Sequence, residues 1–159
     1  MIARRQPIRR SSKPIARRVR PVRVRKTPLG RLKKKLDCLF AAYVKARDGR
    51  VCITCAAQPE GRNHHAGHFF RRGIMSLRWD PKNVHSQCGV PCNKYRRGAL
   101  AEYAAAIIDR YGATELQRLA ARSKVIRKWT RPDLERLIAA LEKGGAEYEL
   151  AYYSTELEA

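Results

Sequence analysis

Four cysteines in two close pairs set the strongest constraint on what this chain can fold into. Cys52-Ile53-Thr54-Cys55 is a CxxC, and Cys88-Gly89-Val90-Pro91-Cys92 is a CxxxC. Gaps this short let one turn present two thiolates to a tetrahedral zinc ion. Two such knuckles imply a structural zinc, holding together a stretch too short and glycine-rich to build its own core. The other readings are disulfides, which need an oxidising compartment, an iron site, or a histidine replacing one cysteine. The N-terminus is basic with no apolar run behind it, so no secretory signal is expected and a cytoplasmic location is. The fifth cysteine, Cys38, falls in an apolar helical stripe and reads as a small buried hydrophobe.

The spacing between the knuckles carries a second message. Thirty-two residues separate Cys55 from Cys88, where a simple zinc ribbon has about 15–20. The surplus holds His64, His65, His68, Asp80, Asn83 and His85, and Asn93 follows the last thiolate directly. Imidazole serves as a general base near neutral pH or as a metal ligand. Asn offers a neutral oxygen to a hard cation, or an amide that orients a neighbouring ring. A lone histidine such as His64 needs no chemistry to explain it. The set His68, Asn83 and Asn93 between two metal knuckles is hard to explain by packing.

The order of these residues resembles the HNH endonucleases, and more closely the NinG/Rap recombination proteins of lambdoid phages. The resemblance rests on the CxxC, on Ala66-Gly67-His68, on the block Arg78-Trp79-Asp80-Pro81-Lys82-Asn83-Val84-His85-Ser86-Gln87-Cys88, and on Cys92-Asn93. The Gly98-Ala99-Leu100 segment and Tyr111-Gly112 also fit, so it covers about residues 36–140. One departure is the CxxxC, with Pro91 as the extra residue, where a CxxC is expected. The resemblance implies a zinc-stapled ββα-metal site. In it His68 is the general base on the first strand, Asn83 fixes that imidazole from the loop, and Asn93 binds a catalytic Mg²⁺ or Mn²⁺ at the start of a helix. Many HNH enzymes carry an Asp directly before the catalytic His; here that position is Gly67. His65 is the candidate to complete the cation site, with Asp80 and His85 behind it. The implied reaction is phosphodiester hydrolysis in branched recombination intermediates, D-loops and Holliday junctions, and other phage recombination proteins become candidate partners.

Charge agrees with a polyanionic partner. Lys plus Arg number 35 against 14 Asp plus Glu, a formal net charge of +21. Residues 1–35 hold 15 of the bases and no acid. Residues 1–28, with Pro7, Pro14, Pro21 and Pro28, read as a disordered arm that grips phosphates. Arg71 and Arg72 after the catalytic strand, and Lys94, Arg96 and Arg97 after Asn93, are candidate DNA contacts. About 8 phosphate contacts would give a slope near −7 for affinity against log salt. No run reaches 18 consecutive apolar residues, so no membrane partner is expected. Trp79 reads as core before it reads as a base-stacking platform. The competing function is a non-catalytic zinc module that binds DNA, keeping the cysteines and the arm but giving His68, Asn83 and Asn93 no task. A resolvase acting on two strands favours a homodimer, although no interface stripe separates from the core.

The predicted fold is α+β, a zinc-stapled ββα core flanked by helices. Leu32, Leu36, Leu39, Phe40, Tyr43 and Val44 mark one face of a helix ending near Asp48-Gly49. Ala66–Phe70 and Met75–Trp79 read as strands. Leu100, Tyr103, Ala104, Ile107, Ile108 and Tyr111 mark a helix stopped by Gly112. Thr114 with Gln117 suggests a capping box for the next helix, and Thr130 with Asp133 another for the stripe Leu134, Leu137, Ile138, Leu141. The expected organisation is a basic arm over 1–30, the zinc-containing domain over 31–143, and an acidic, frayed tail over 144–159.

Overall fold

A computed structural model describes residues 27–157. The arm expected over 1–30 lies, through residue 26, outside the described residues. Helix α1 (Leu29–Arg47) begins earlier than its apolar stripe suggests, directly after Pro28. Leu32, Leu36, Phe40 and Val44 recur every fourth residue and are all buried. Cys38 lies between these rows and is exposed, which corrects its reading as a core residue.

A two-stranded antiparallel hairpin follows, β1 (His64–His68) and β2 (Val84–Cys88), with His64 opposite Cys88 and His68 opposite Val84. β2 is buried along its whole length. The strand expected at Met75–Trp79 is instead part of a chain of turns. Backbone bonds Ile74 N to Arg71 O, Leu77 N to Ile74 O, Asp80 N to Leu77 O and Asn83 N to Asp80 O pass it round in steps of three. Asp80 Oδ1 also accepts from Lys82 N at 2.7 Å and Asn83 N at 3.3 Å, so local side-chain bonds outcompete a ladder.

After β2 the chain enters a π-helical turn, Gly89–Tyr95. Its signature bonds span five residues, Arg96 N to Pro91 O and Gly98 N to Asn93 O. A π-turn is what one extra residue in a helical turn produces. The third spacer of the CxxxC is therefore absorbed without separating the thiols. The helix expected to open at Cys92-Asn93 is this turn, with Asn93 inside it. Arg97, Gly98 and Ala99 then all take positive φ (48°, 92° and 48°), a left-handed corner into α2 (Leu100–Tyr111).

Gly112, φ 84°, ends α2 and begins α3 (Ala113–Arg122). The Thr114–Gln117 box is not formed, because α3 starts at once after the glycine with no side-chain cap. The Thr130–Asp133 box is formed and opens α4 (Arg131–Glu142), with Asp133 Oδ2 accepting from Thr130 N at 2.9 Å. The segment read as a frayed tail is helix α5 (Tyr148–Leu157). Tyr148 and Tyr152, one turn apart, are fully buried and donate to Trp79 O at 2.9 Å and Ser76 O at 2.6 Å. Glu149 stays exposed on α5 and Glu147 just before it, while residues 158–159 of that segment lie outside the described residues.

The main core joins α1, α4 and α5 around Trp79 and Trp129, whose rings meet edge to face at 5.3 Å. Trp79 is core, as read from the sequence. A second cluster, Leu77, Tyr103, Ile107 and Leu119, seats α2 and α3 on the turn region. The hairpin is held between them. Arg47 at the end of α1 donates to Pro81 O at 2.7 Å and Val84 O at 2.9 Å, and Asp48 Oδ2 accepts from Ser86 N at 2.8 Å. No helix among the described residues is long and apolar enough to cross a membrane.

Candidate metal centre and basic groove

The first knuckle folds back on itself through Cys52 N to Ala57 O at 2.8 Å and Ala56 N to Cys52 O at 2.9 Å. Cys88 comes from the end of β2 and Cys92 from the π-turn. The four sulfurs lie within 4.8 Å of one another, with Cys52 to Cys92 at 3.9 Å and Cys55 to Cys88 at 3.7 Å. A tetrahedral zinc with bonds of about 2.3 Å separates its sulfurs by ~3.8 Å, so these thiols can hold a zinc ion. Electrostatics agree with a cation there. Burial and the neighbouring thiols push the Cys88 thiol up to about 12. Burial also opposes the Cys52 thiolate, but bonds from Thr54 and from nearby backbone N–H groups bring it down to about 6. A dication relieves the crowding of charge at Cys88.

Beside this centre an open groove of about 850 Å³ runs between α1 and the outer side of β1. His65, His68 and Asn93 line it together with Arg71, Arg72 and Arg97. The His68 ring is partly buried, and its Nε2 donates to Arg78 O at 3.1 Å. A carbonyl only accepts, so that bond fixes the tautomer and leaves Nδ1 as the basic nitrogen. Burial lowers the pKa of His68, the charges of Arg72 and Arg78 add to this, and the Arg78 carbonyl and Asp37 oppose it. The ring is therefore neutral at physiological pH. His65 Nδ1 stands 3.5 Å from the Asn93 amide, and its Nε2 lies 3.1 Å from Arg62 O. A Cβ on Gly89 would sit 2.6 Å from the His65 ring, so only glycine allows that approach.

Asn83 does not hold the His68 ring. Its Oδ1 accepts from Phe70 N at 2.8 Å, and its Nδ2 donates to Phe70 O at 3.0 Å and Leu77 O at 2.9 Å. It clamps the backbone just past His68, and the ring is fixed by Arg78 instead. Asp80 and His85 are outside the groove lining. Asp80 is fully buried and pairs with Arg122 at 2.6 Å. His85 is fully buried against Tyr103 Oη at 3.2 Å and Tyr111 Oη at 2.9 Å, and burial pushes its pKa down to about 3. Its strand position faces the second core, away from the groove. Among the candidate DNA contacts, Lys94 and Arg96 are exposed but outside the groove lining. Lys94 stacks over Tyr95 at 5.5 Å and Arg96 pairs with Glu102.

Gly67 has a packing reason. A Cβ there would meet Gln87 Oε1 at 2.3 Å, and Gln87 uses that space to donate to Gly98 O at 2.8 Å. The residue that sequence reasoning missed is Asp37, on α1. It sits in the groove with its carboxylate engaged by Arg72 at 2.5 Å, by Arg78 at 3.0 and 2.7 Å, and by Trp79 Nε1 at 2.9 Å. An acid one position past the buried Leu36 was the available signal, since it placed a charge at the edge of the buried face.

A small mixed helix-and-sheet domain, stapled by four cysteines that can bind zinc and open along a basic groove, is the class that this fold and site define. The profile described as Bacteriophage Lambda NinG protein matches residues 3–146, and the chain belongs to that family. It is 29% identical over 104 residues to Protein ninG of Salmonella phage P22, which is 64% of this chain and 50% of that protein. It is 34% identical over 73 residues to Protein ninG of Escherichia phage 933W, covering 45% of this chain and 35% of that one. The chain thus spans half or less of the length of these curated relatives. No solved structure matches it.

Proposed function

We propose that this chain is a metal-dependent endonuclease of the HNH type that hydrolyses phosphodiesters in branched recombination intermediates of DNA. The observation that carries this reading is the His68–Arg78 bond: in a groove rimmed by arginines it holds Nε2–H of a partly buried imidazole, whose neutral form burial favours, and leaves Nδ1 as the basic nitrogen. Nδ1 takes a proton from water, the oxygen attacks phosphorus in line, the P–O bond to one sugar breaks, and the departing sugar oxygen takes up a proton from solvent while His68 returns its own to water. Arg71, Arg72 and Arg97 hold the flanking phosphates. His65 and Asn93, 3.5 Å apart in the groove lining, are the residues that would hold Mg²⁺ or Mn²⁺. Amide O and N are interchangeable in placement, so Asn93 can turn its oxygen toward the ion. When bound, the ion stabilises charge growing on the phosphate. The hairpin followed by a helical turn that carries Asn93 is compatible with a ββα arrangement, here with a π-turn in the helix position.

One observation favours the non-catalytic reading, a zinc-stapled DNA-binding accessory. Asp37, the carboxylate within the groove, has both oxygens engaged by arginines, so it offers no charged ligand to a cation. Incubating the protein with labelled linear duplex, D-loop and four-way-junction DNA, with the divalent cation present or chelated, separates the two readings. The endonuclease nicks branched substrates only with the cation. The accessory protein binds them and cleaves none.

A further inference from the structure

The α3–α4 connection has features that a nuclease groove leaves unused. Between Glu115 and Asp133 stand six bases (Arg118, Arg122, Lys124, Arg127, Lys128 and Arg131) and no acid. At its tip Val125 is 57% exposed and Ile126 91%, the largest exposure of any large hydrophobic among the described residues. Lys124 and Lys128, on either side, are exposed as well.

This tip is held out on a firm base. On one flank, Arg122 pairs with buried Asp80 at 2.6 Å and its carbonyl accepts from Ser76 Oγ at 2.7 Å. The turn continues through Ser123 N to Leu119 O at 2.9 Å and Val125 N to Arg122 O at 3.1 Å. On the other flank, the Arg127 guanidinium lies 3.9 Å from the Trp129 ring centroid and donates to Thr155 O at 2.7 Å. Trp129 is itself buried and donates to Met75 O at 2.8 Å. Both flanks are therefore bound to the turn region that also carries Arg78, the anchor of His68.

Two β-branched side chains kept in water on a fixed mount, between lysines, invite an apolar yet polyanionic partner. A protein interface of ordinary size buries about 800 Å² on each side, far more than a valine and an isoleucine supply. An apolar wedge in DNA needs only one or two such side chains inserted at a base step, with cations on the adjoining phosphates. We propose that Val125 and Ile126 form a wedge that enters between bases at a DNA branch point, with Lys124 and Lys128 on the flanking phosphates. The inference rests on the reading of this chain as a binder of branched DNA and adds the element that opens the branch. Base pairs are least stacked at a branch, so insertion costs least there and the wedge confers structure preference without base-specific contacts.

The test uses the full chain with zinc retained and Mg²⁺ and Mn²⁺ withheld, and a four-way junction carrying 2-aminopurine at the branch. The expected result is a severalfold fluorescence rise on binding, which reports unstacking. Val125→Ser/Ile126→Ser removes the rise and weakens junction binding by about tenfold. It leaves linear-duplex affinity and its salt slope unchanged. Lys124→Ala/Lys128→Ala lowers affinity for both DNAs and reduces the slope by about 2. Both apolar positions are exposed, so a thermal melt matching wild type accompanies the serine variant. Wild type that binds the junction without brightening it, or a serine variant that brightens it equally, overturns the wedge while DNA binding stands. A serine variant that changes only the oligomeric state, by sedimentation, overturns it in favour of self-association. Wild type that binds no DNA removes both the wedge and the reading beneath it.

Discussion

The Asp37 carboxylate and the Arg78 guanidinium meet at two points, Nε to Oδ1 at 3.0 Å and Nη2 to Oδ2 at 2.7 Å. This bond ties α1 to the backbone whose carbonyl orients His68. Burial works against the Asp37 charge, but Arg78, Arg72 and the Trp79 N–H outweigh it and hold the carboxyl below the usual aspartate range. A lowered carboxylate contributes stability that is present above the unfolded value of about 4 and lost as pH falls through the folded one. Asp37→Asn is expected to destabilise by about 2 kcal/mol in urea unfolding at neutral pH. The difference from wild type should shrink below pH 4. Nicking should fall by more than the loss of folded protein explains, since Arg78 is no longer fixed.

Gly67→Ala forces a methyl group onto Gln87, whose Oε1 lies 2.3 Å from the new Cβ position. Gln87 must then leave Gly98 O, which it reaches at 2.8 Å. The expected cost is about 1–3 kcal/mol. Gly67→Ala/Gln87→Ala should recover part of it in denaturant titrations, whereas a loss additive with Gln87→Ala would show that Gly67 matters for another reason.

If the four cysteines hold zinc, removing it should release the π-turn, because Cys92 belongs to the four-sulfur cluster and Asn93 is the next residue. One zinc per chain and four protected thiols are expected by metal analysis and thiol titration of the native protein. Cys92→Ala should lose the metal and lower the thermal midpoint. Cys38→Ser should leave stoichiometry unchanged, since Cys38 is exposed on α1 outside the four-sulfur cluster.

His85 should dominate the acid sensitivity of the fold. Burial holds its folded pKa at about 3, so the unfolded chain takes up a proton that the native ring refuses. Stability is then complete above an ordinary histidine value of about 6.5 and declines as pH falls from there toward 3. His85→Gln keeps polar atoms near Tyr103 and Tyr111 and should flatten that decline in urea midpoints measured across the range. A wild-type profile flat between pH 6.5 and 4 would contradict the burial account.

Much of this architecture was legible in the residues. The stripe from Leu32 to Val44, the Thr130–Asp133 cap and the cysteine pairs each state one local rule, and the fold obeys them. The misreadings share a cause, which is that tertiary partners decide what local pattern cannot. Met75–Trp79 alternates like a strand, but Asp80 and Asn83 side chains bind nearby backbone and curl it into turns. Glu147, Glu149, Glu156 and Glu158 made the C-terminus look frayed, while Tyr148 and Tyr152 fasten it to Trp79 and Ser76. At the site, His65, His68 and Asn93 line one groove. Asp80 and His85, placed behind His65 in sequence, point elsewhere, because strand register and turn direction decide which face a side chain takes. Asp37 lies thirty-one residues before His68, too far for any motif to include it.

The most direct measurement is cleavage of a labelled four-way junction in Mg²⁺ or Mn²⁺ by wild type and by His68→Ala, with junction affinity measured in parallel. The account predicts cation-dependent nicking by wild type. It predicts a loss of about 10²–10⁴-fold in His68→Ala with binding retained, and an acid limb in the wild-type rate below an ordinary histidine pKa. Nicking that survives in His68→Ala, or tight salt-sensitive binding with no cleavage under either cation, would contradict it.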